Sequence, residues 1–394
     1  LKVRVLSDAM KNAVIIDCCR TPIGRAHPER GVFRDVRGDD LAAAVIGRIV
    51  ERTGIDPADV EDVVLGNTQQ TKEQGFNVAR IAGLLAGLPS STAGTTVNRL
   101  CGSSLQAVNQ ACHSIVAGGE DVQIVGGLEH MHHLPMDHGV DLNPKLFHGT
   151  SKGALHMGYT AEFLAQSQGI DRESQDRFAL ASHQKAAAAT DAGEFEPEIV
   201  PVWGRDEEGA RTLVKTDQCI RRDTTLEALT ALKPAFMPKI GTVTAGNSSP
   251  LNDGAAALLM MSEDRASQLG LTPLVRVRAT AVAGVDPAVM GTGPVPATKK
   301  ALSRAGMTLA DIDLIELNEA FAAQALACMG MLDLNPERVN VRGGAIAIGH
   351  PLGASGARIA TTLIHAMVAR NAAVGLATMC IGIGQGIATI FERV

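Results

Sequence analysis

The chain carries two series of alternating strand-like and helix-like stretches, and the second series echoes the first. Asp59 is followed by Val60-Glu61-Asp62-Val63-Val64-Leu65-Gly66-Asn67; 252 positions on, Asp311 is followed by Ile312-Asp313-Leu314-Ile315-Glu316-Leu317-Asn318-Glu319. Val97-Asn98 stands just before Cys101, and Val339-Asn340-Val341 just before His350, 249 positions later. Two landmarks at nearly one offset indicate a duplicated unit. Strands and helices in alternation require an α/β sheet with helices on its faces. Two equivalent halves packed face to face bring the Cys101 turn near the His350 turn. At 394 residues the chain is long enough for two or three domains and a large core.

In the first half, Ala13 to Asp17 reads as a strand and Arg20-Thr21-Pro22-Ile23-Gly24-Arg25 as a turn. Asp39-Asp40 is placed to cap a helix from Leu41 to about Arg52. Val63 to Gly66 is a second strand, and Asn77 to Leu85 a helix that ends near Gly87 and Pro89. Thr95, Thr96 and Val97 form a β-branched lead-in to Cys101, and apolar residues then recur at helical spacing through Ser114. Val122 to Val125 reads as a buried strand. From Glu129 to about Asn247 the texture is irregular. Asp171 caps a long helix there, and Thr224-Thr225-Leu226-Glu227 has the spacing of a capping box. Gly241 to Ser249 returns to strand and turn, Ala255 to Met261 is a strand, and a second α/β run begins at Val275. The expected division is an N-terminal α/β half over 10–128 completed by about 248–270, an inserted loop domain over 129–247, and a C-terminal half over 271–394. Residues 1–9 are too short and polar for a secretion signal and carry no weight in the fold.

Net charge is −6, which gives no bulk attraction to nucleic acid or an anionic membrane. Aromatics are 3%, too few for base-stacking platforms. The seven cysteines are an odd number without a framework of spacings, which fits a reducing compartment such as the bacterial cytoplasm. No apolar run reaches transmembrane length. Six histidines, His130, His132, His133, His138, His148 and His156, lie between Glu129 and Met157. They lack an HExxH pattern or a cysteine partner, so no metal is expected.

Cys101 sits where a strand turns into a helix. The free N–H groups and positive end of that helix favour a thiolate, which is a nucleophile. Taken alone, the stretch equally suits a buried cysteine that merely packs. The other end of the chain decides. Gly343-Gly344-Ala345-Ile346-Ala347-Ile348-Gly349-His350-Pro351 brackets a histidine between glycine and proline, and Cys380-Ile381-Gly382-Ile383-Gly384-Gln385-Gly386 is a second glycine-rich turn. The latter is no dinucleotide loop, since too little chain follows Gly386 for the required helix and acid. Such turns expose backbone N–H groups, the parts of an oxyanion hole. Two cysteines, one histidine and exposed amides suit cleavage of a carbon–carbon bond β to a thioester. That reaction needs a soft nucleophile, a base, oxyanion donors and an acid for the departing carbon.

The chain resembles the thiolases (acetyl-CoA acyltransferases) from Ala13 to Val394. Four motifs match in order: Asn98-Arg99-Leu100-Cys101-Gly102-Ser103, Asn318-Glu319-Ala320-Phe321-Ala322, Gly343 to Pro351, and Cys380-Ile381-Gly382. The resemblance implies a layered αβαβα core of two duplicated halves with an inserted loop lobe. It implies that Cys101 is the acylated nucleophile, His350 its activator and Cys380 the acid/base at the acetyl α-carbon. Asn318, through a water and with His350, would form one oxyanion hole; the amides of Cys101 and Gly382 would form the other. Ser249, Arg221, His156, Met157 and Phe321 match positions near substrate or coenzyme A. Coenzyme A and acetyl-CoA would be substrates, with no permanently bound cofactor. Met136-Asp137-His138-Gly139-Val140-Asp141 and the closing Gly375 to Cys380 and Phe391 to Val394 runs are similar to the degradative thiolase subunit of bacterial fatty-acid-oxidation complexes. His156-Met157-Gly158 and Gly353-Ala354-Ser355-Gly356 look like the biosynthetic acetoacetyl-CoA enzymes. The resemblance thus implies a homodimer acting in fatty-acid β-oxidation, docked to a hydratase–dehydrogenase subunit. The alternatives are a biosynthetic thiolase condensing two acetyl-CoA, a decarboxylating ketoacyl synthase, in which Cys380 would have no task, and a non-catalytic acyl-CoA-binding relative.

Overall fold

The structure is a computed structural model that describes residues 11–394. The expectations for residues 1–9, and Met10 at the head of the first half, lie outside the described residues. The first half runs β1 (Ala13–Arg20), β2 (Gly24–Arg25), α1 (Gly38–Thr53), β3 (Asp62–Gly66), α2 (Val78–Leu85), β4 (Ala93–Val97), α3 (Ser103–Ala117) and β5 (Val122–His130). The middle segment holds α4 (Met157–Ser167), α5 (Arg172–Asp191), a hairpin of β6 (Val202–Arg205) and β7 (Arg211–Val214), and α6 (Leu226–Thr230). The chain then returns through β8 (Asn252–Ser262) and α7 (Glu263–Leu269). The second half is β9 (Val275–Gly284), α8 (Pro294–Ala305), β10 (Leu314–Leu317), α9 (Ala322–Leu332), α10 (Ser355–Arg370), β11 (Val374–Ile381) and β12 (Gln385–Arg393).

The strands form one ten-stranded sheet in the order β10-β11-β12-β9-β1-β8-β5-β3-β4, with β2 on β8. In the first half β3 is parallel to β4 and β5; in the second β10 is parallel to β11. The halves meet where β1 pairs with β9 through Val14–Arg276 and Ile15–Val275. The apolar core separates into layers. Leu105, Val108 and Ile115 of α3 and Ile359, Leu363 and Ile364 of α10 form a central layer against Val125, Leu258, Met379 and Phe391. Leu41, Val45 and Ile49 of α1 cover the outer face of the first half, against Val63, Ile124 and Leu259. Ala297 and Ala301 of α8 and Cys328 of α9 do the same for the second half, against Leu376 and Ile390. The fold is the αβαβα sandwich expected of duplicated halves.

The two central helices touch at their N-terminal turns. A Cβ on Gly356 would stand 2.3 Å from the Leu105 nitrogen, so only glycine lets the backbones come this close. Beside it, Ser104 Oγ accepts from the Ala357 N–H at 2.9 Å. Buried Glu129 ties the halves further, accepting from Thr68 Oγ1 (2.7 Å) in one half and from the Gly353 N–H (2.9 Å) in the other.

Local differences from the sequence reading have simple causes. Helix α1 begins at Gly38, so Asp39 and Asp40 lie in its first turn, where they oppose the helix dipole, rather than at the cap. Helix α6 is capped by Thr225, which accepts from the Ala228 N–H, one residue beyond the capping-box position. Residues 241–249 form no strand. Their backbone is held by side chains instead: Asn247 Oδ1 accepts from the Thr244 N–H (2.7 Å) and Glu162 Oε2 from the Thr242 N–H (2.8 Å).

Candidate active site

Cys101 occupies the turn between β4 and α3, the first of the two turns that the helix contact brings together. Leu100, just before it, has φ +47°, and Ser103 Oγ accepts from the Arg99 N–H (2.9 Å) and donates to the Leu100 carbonyl (2.6 Å), locking the turn. Arg99 donates to Gln106 of α3 and to Gln385 of β12, which ties the turn to the second half. The N–H groups of Gly382 and of Cys101 itself act on the Cys101 sulfur in the direction that favours its charged form. These amides are the donors that sequence reading assigns to an oxyanion hole.

His350 lies before α10 in the equivalent turn of the second half. Gly349 has φ +123°, and a Cβ there would stand 2.7 Å from the Asn252 amide, so the Gly-His sequence is a geometric requirement. Asn252 Oδ1 accepts from the His350 N–H (2.8 Å), and Asn252 Nδ2 donates to the Gly24 carbonyl (2.8 Å). Ser355 Oγ donates to the Pro351 carbonyl (2.8 Å), so it accepts from His350 Nδ1 at 2.6 Å. That fixes the tautomer: Nδ1 carries the proton and Nε2 the lone pair. Asn318 Nδ2 faces Nε2 at 3.4 Å, while buried Asn318 Oδ1 has no protein partner among the described residues.

Burial sets the protonation states. The Cys101 thiol is pushed up to about 11, chiefly by desolvation, with the two amides pulling the other way. The His350 imidazole is pushed down to about 3 by burial and then by the Arg358 charge. The resting pair is therefore neutral thiol and neutral imidazole. The sequence reading, in which the helix end favours a thiolate, took no account of this desolvation. Cys380, at the end of β11, is likewise buried and raised well above an ordinary thiol.

Cys101, His350, Cys380 and Gly382 line one cavity of about 480 Å³. Ser249, His156, Met157 and Phe321 line it too. The His156, Phe236 and Phe321 rings meet edge to face along its wall, with centroids 5.6 and 6.1 Å apart. Ser249 Oγ donates to the Ala320 carbonyl at 3.1 Å. Arg221 stands apart, in an adjoining cavity with Arg25, His183 and Cys219 that shares Ser248 and Pro250 with the first. Sequence reading passed over Asn252, Phe236 and Glu129 and treated Ser355 as a subtype marker.

The histidine cluster is a hydrogen-bonded unit. His130 and His133 stack with centroids 3.8 Å apart. His133 Nδ1 meets Glu73 (2.9 Å) and Nε2 the Arg34 carbonyl (2.8 Å), so both nitrogens donate and the imidazole is raised toward its charged form. His130 Nδ1 accepts from the His133 N–H and Nε2 meets the Phe33 carbonyl (3.1 Å). Glu73, His130 and His133 are close enough to surround an ion, but their polar atoms are already committed to one another and to the backbone.

Comparisons with known proteins agree over the whole chain. Residues 13–264 match the family profile "Thiolase, N-terminal domain" and residues 271–393 match "Thiolase, C-terminal domain". The 3-ketoacyl-CoA thiolases of Aliivibrio fischeri and Aeromonas salmonicida are 58% and 57% identical to this chain, each covering 98% of it and 100% of the relative. Human mitochondrial 3-ketoacyl-CoA thiolase superposes with a TM-score of 0.89 at 38% identity. The Bacillus anthracis acetyl-CoA acetyltransferase does so with a TM-score of 0.89 at 40% identity. Each of these two matches covers 98% of this chain and 100% of the other.

Proposed function

Because this chain belongs to the thiolase family, we propose that it cleaves 3-ketoacyl-CoA with coenzyme A to acetyl-CoA and a shortened acyl-CoA. The observation that carries the reading is the convergence of Cys101, His350 and the Cys380–Gly382 turn, the three far apart in sequence, on one cavity.

His350 Nε2 takes the proton of the Cys101 thiol, and the sulfur attacks the keto carbon. The keto oxygen becomes an oxyanion held by the N–H groups of Cys101 and Gly382. Its collapse breaks the bond between the α-carbon and the keto carbon and leaves the acyl group on Cys101. The bonding pair passes into the enolate of acetyl-CoA, whose oxygen lies toward Asn318 and His350. The Cys380 thiol protonates the α-carbon and acetyl-CoA departs. The Cys380 thiolate then takes the proton of incoming coenzyme A, whose sulfur attacks the acyl group, and Cys101 regains its proton from His350. No permanent cofactor enters this scheme; coenzyme A is consumed as substrate. Ser249, His156, Met157 and Phe321 would contact the thioester end, and Arg221, with Arg25 beside it, the anionic part of the coenzyme.

The test is acyl transfer to Cys101. Incubation with acetyl-CoA should add one acetyl group to Cys101, read by peptide mass spectrometry, and Cys380→Ser should abolish cleavage. Condensation that survives Cys380→Ser would favour a ketoacyl synthase, and the lack of any label would favour a binding protein. The degradative direction is supported by the names of the Aliivibrio and Aeromonas relatives, biosynthetic condensation being the same steps reversed. The reading extends to fatty-acid β-oxidation, in a reducing compartment such as the bacterial cytoplasm, since both sulfurs must stay reduced. No helix among the described residues is long and apolar enough to cross a membrane. A homodimer is supported by β4, an end strand of the sheet with exposed residues, beside Phe76, Leu84 and Leu85, whose apolar side chains are exposed. A hydratase–dehydrogenase subunit would supply the 3-ketoacyl-CoA.

A further inference from the structure

Glu129, near the end of β5, is buried and takes no part in the proton transfers above. Its carboxylate is saturated. Oε1 accepts from Asn67 Nδ2 (3.1 Å), the Gln69 N–H (3.3 Å) and Gln74 Nε2 (3.1 Å). Oε2 accepts from the Thr68 N–H (3.0 Å), Thr68 Oγ1 (2.7 Å) and the Gly353 N–H (2.9 Å). Each oxygen takes at least two N–H groups, so neither has room for a proton and the group is held as a carboxylate. Bonds to a charged acceptor are about twice as strong as neutral ones, and a charge in the interior makes them hard to give up. Two lines lead away from Oε2. Gly353 stands three residues after His350, in the single 3-10 turn Leu352–Ala354 that opens α10. A Cβ on Gly353 would stand 2.8 Å from Oε2 and 2.4 Å from the Leu128 carbonyl, so this approach requires glycine. On the other side the Thr68 carbonyl accepts from Asn98 Nδ2 (3.1 Å), and Asn98 Oδ1 accepts from the Leu100 N–H (2.8 Å). Leu100 precedes Cys101 and has φ +47°, a conformation that persists only where its surroundings impose it. One oxygen atom thus holds the His350 turn directly and the Cys101 turn through Thr68 and Asn98.

We propose that Glu129 is a positioning residue for the transfer of the Cys101 proton to His350, its Oε2 fixing one catalytic turn against the other and Thr68 and Asn98 carrying that constraint to the sulfur. The inference rests on the thiolase reading above. Glu129, Thr68 and Asn98 do not line the catalytic cavity, so none of them meets the substrate. Their effect belongs to the step in which sulfur and imidazole must stand in register, and it leaves binding alone. Glutamine at 129 has the right shape but the wrong polarity. Its amide nitrogen would face donors on one side or the other, and either the His350 turn or the remaining ring of amides would lose its acceptor.

The experiment is a double-mutant cycle on Glu129→Gln and Asn98→Ala, with kcat and KM measured for cleavage of acetoacetyl-CoA and 3-ketodecanoyl-CoA. Glu129→Gln releases both turns and should lower kcat by about a hundredfold, the cost of a small displacement of reacting groups. Asn98→Ala releases one turn through one link and should lower kcat by about tenfold, the scale of a single hydrogen bond. KM should stay unchanged in both. Asn98 is exposed, so its variant should melt with the unmodified protein. The double variant should be no slower than Glu129→Gln alone, because the two residues act in one line. If Glu129→Gln does not fold, Thr68→Val, which removes one bond to Oε2, takes its place in the cycle and should likewise add nothing to Asn98→Ala. Losses that multiply, a rise in KM at constant kcat, or an Asn98→Ala variant as fast as the unmodified protein would overturn the proposal and leave the thiolase reading standing. An unmodified protein that cleaves neither substrate would remove that reading, and the positioning role with it.

Discussion

His350 rests as a neutral imidazole because its surroundings give a charge no solvent. Its pKa lies at about 3, against 6.5 for a free imidazole. A folded value below the unfolded one contributes stability that is fully present above pH 6.5 and is lost as pH falls toward 3. His130 and His183, both pushed down to about 4 by burial, act in the same direction. Glu316, buried and pushed up to about 8, acts in the opposite one. The clean measurement is therefore a difference. The stability of His350→Asn relative to the unmodified protein, from urea unfolding, should improve steadily between pH 6.5 and pH 4. A constant difference would mean that His350 is not held neutral. The turns that carry Cys101, His350 and Cys380 were legible because glycine, proline and β-branched lead-ins announce turns. Their supports were not: Asn252 meets His350 across 98 residues, and no local pattern predicts such a bond. Desolvation of Cys101 was equally invisible, since a turn sequence does not say how much protein will cover it.

The α3–α10 contact is the element on which the site turns. It joins the two helix starts that follow Cys101 and His350, and Gly356 sets its closeness. Gly356→Ala would place a methyl against Leu105 backbone, which cannot rotate away. A loss of about 2 kcal/mol or more is expected from overpacking of this kind, read by urea unfolding. Turnover should fall further than stability alone explains, by about a hundredfold, because small displacements of reacting groups carry that cost. A variant as active as the unmodified protein would show that the two turns are positioned elsewhere. At this scale the sequence was most informative. The repeated strand–turn–helix pattern implied that the Cys101 and His350 turns come together, and the α3–α10 contact is how the structure does it. It was least informative in the middle segment. There Glu162, Asp176 and Asn247 hold the chain through side-chain bonds over 71 to 81 residues, in place of the strand expected at 241–249.

The whole molecule presents an unprotected sheet end at β4 and a nearly fully exposed Phe76 (98%). Unpaired strand edges beside apolar surface attract another strand. Light scattering on the purified protein should give twice the chain mass, and Phe76→Glu with Leu85→Lys should shift it toward one. Purification from native cells should add a larger partner if a hydratase–dehydrogenase subunit docks; a monomer in every preparation would remove both expectations. The seating of α10 on α3 has one more consequence, in time rather than in space. A refolding chain can recover helicity half by half, yet it stays chemically silent until the halves dock. Regain of turnover should therefore lag regain of circular dichroism, and activity becomes a clock for the last step of assembly.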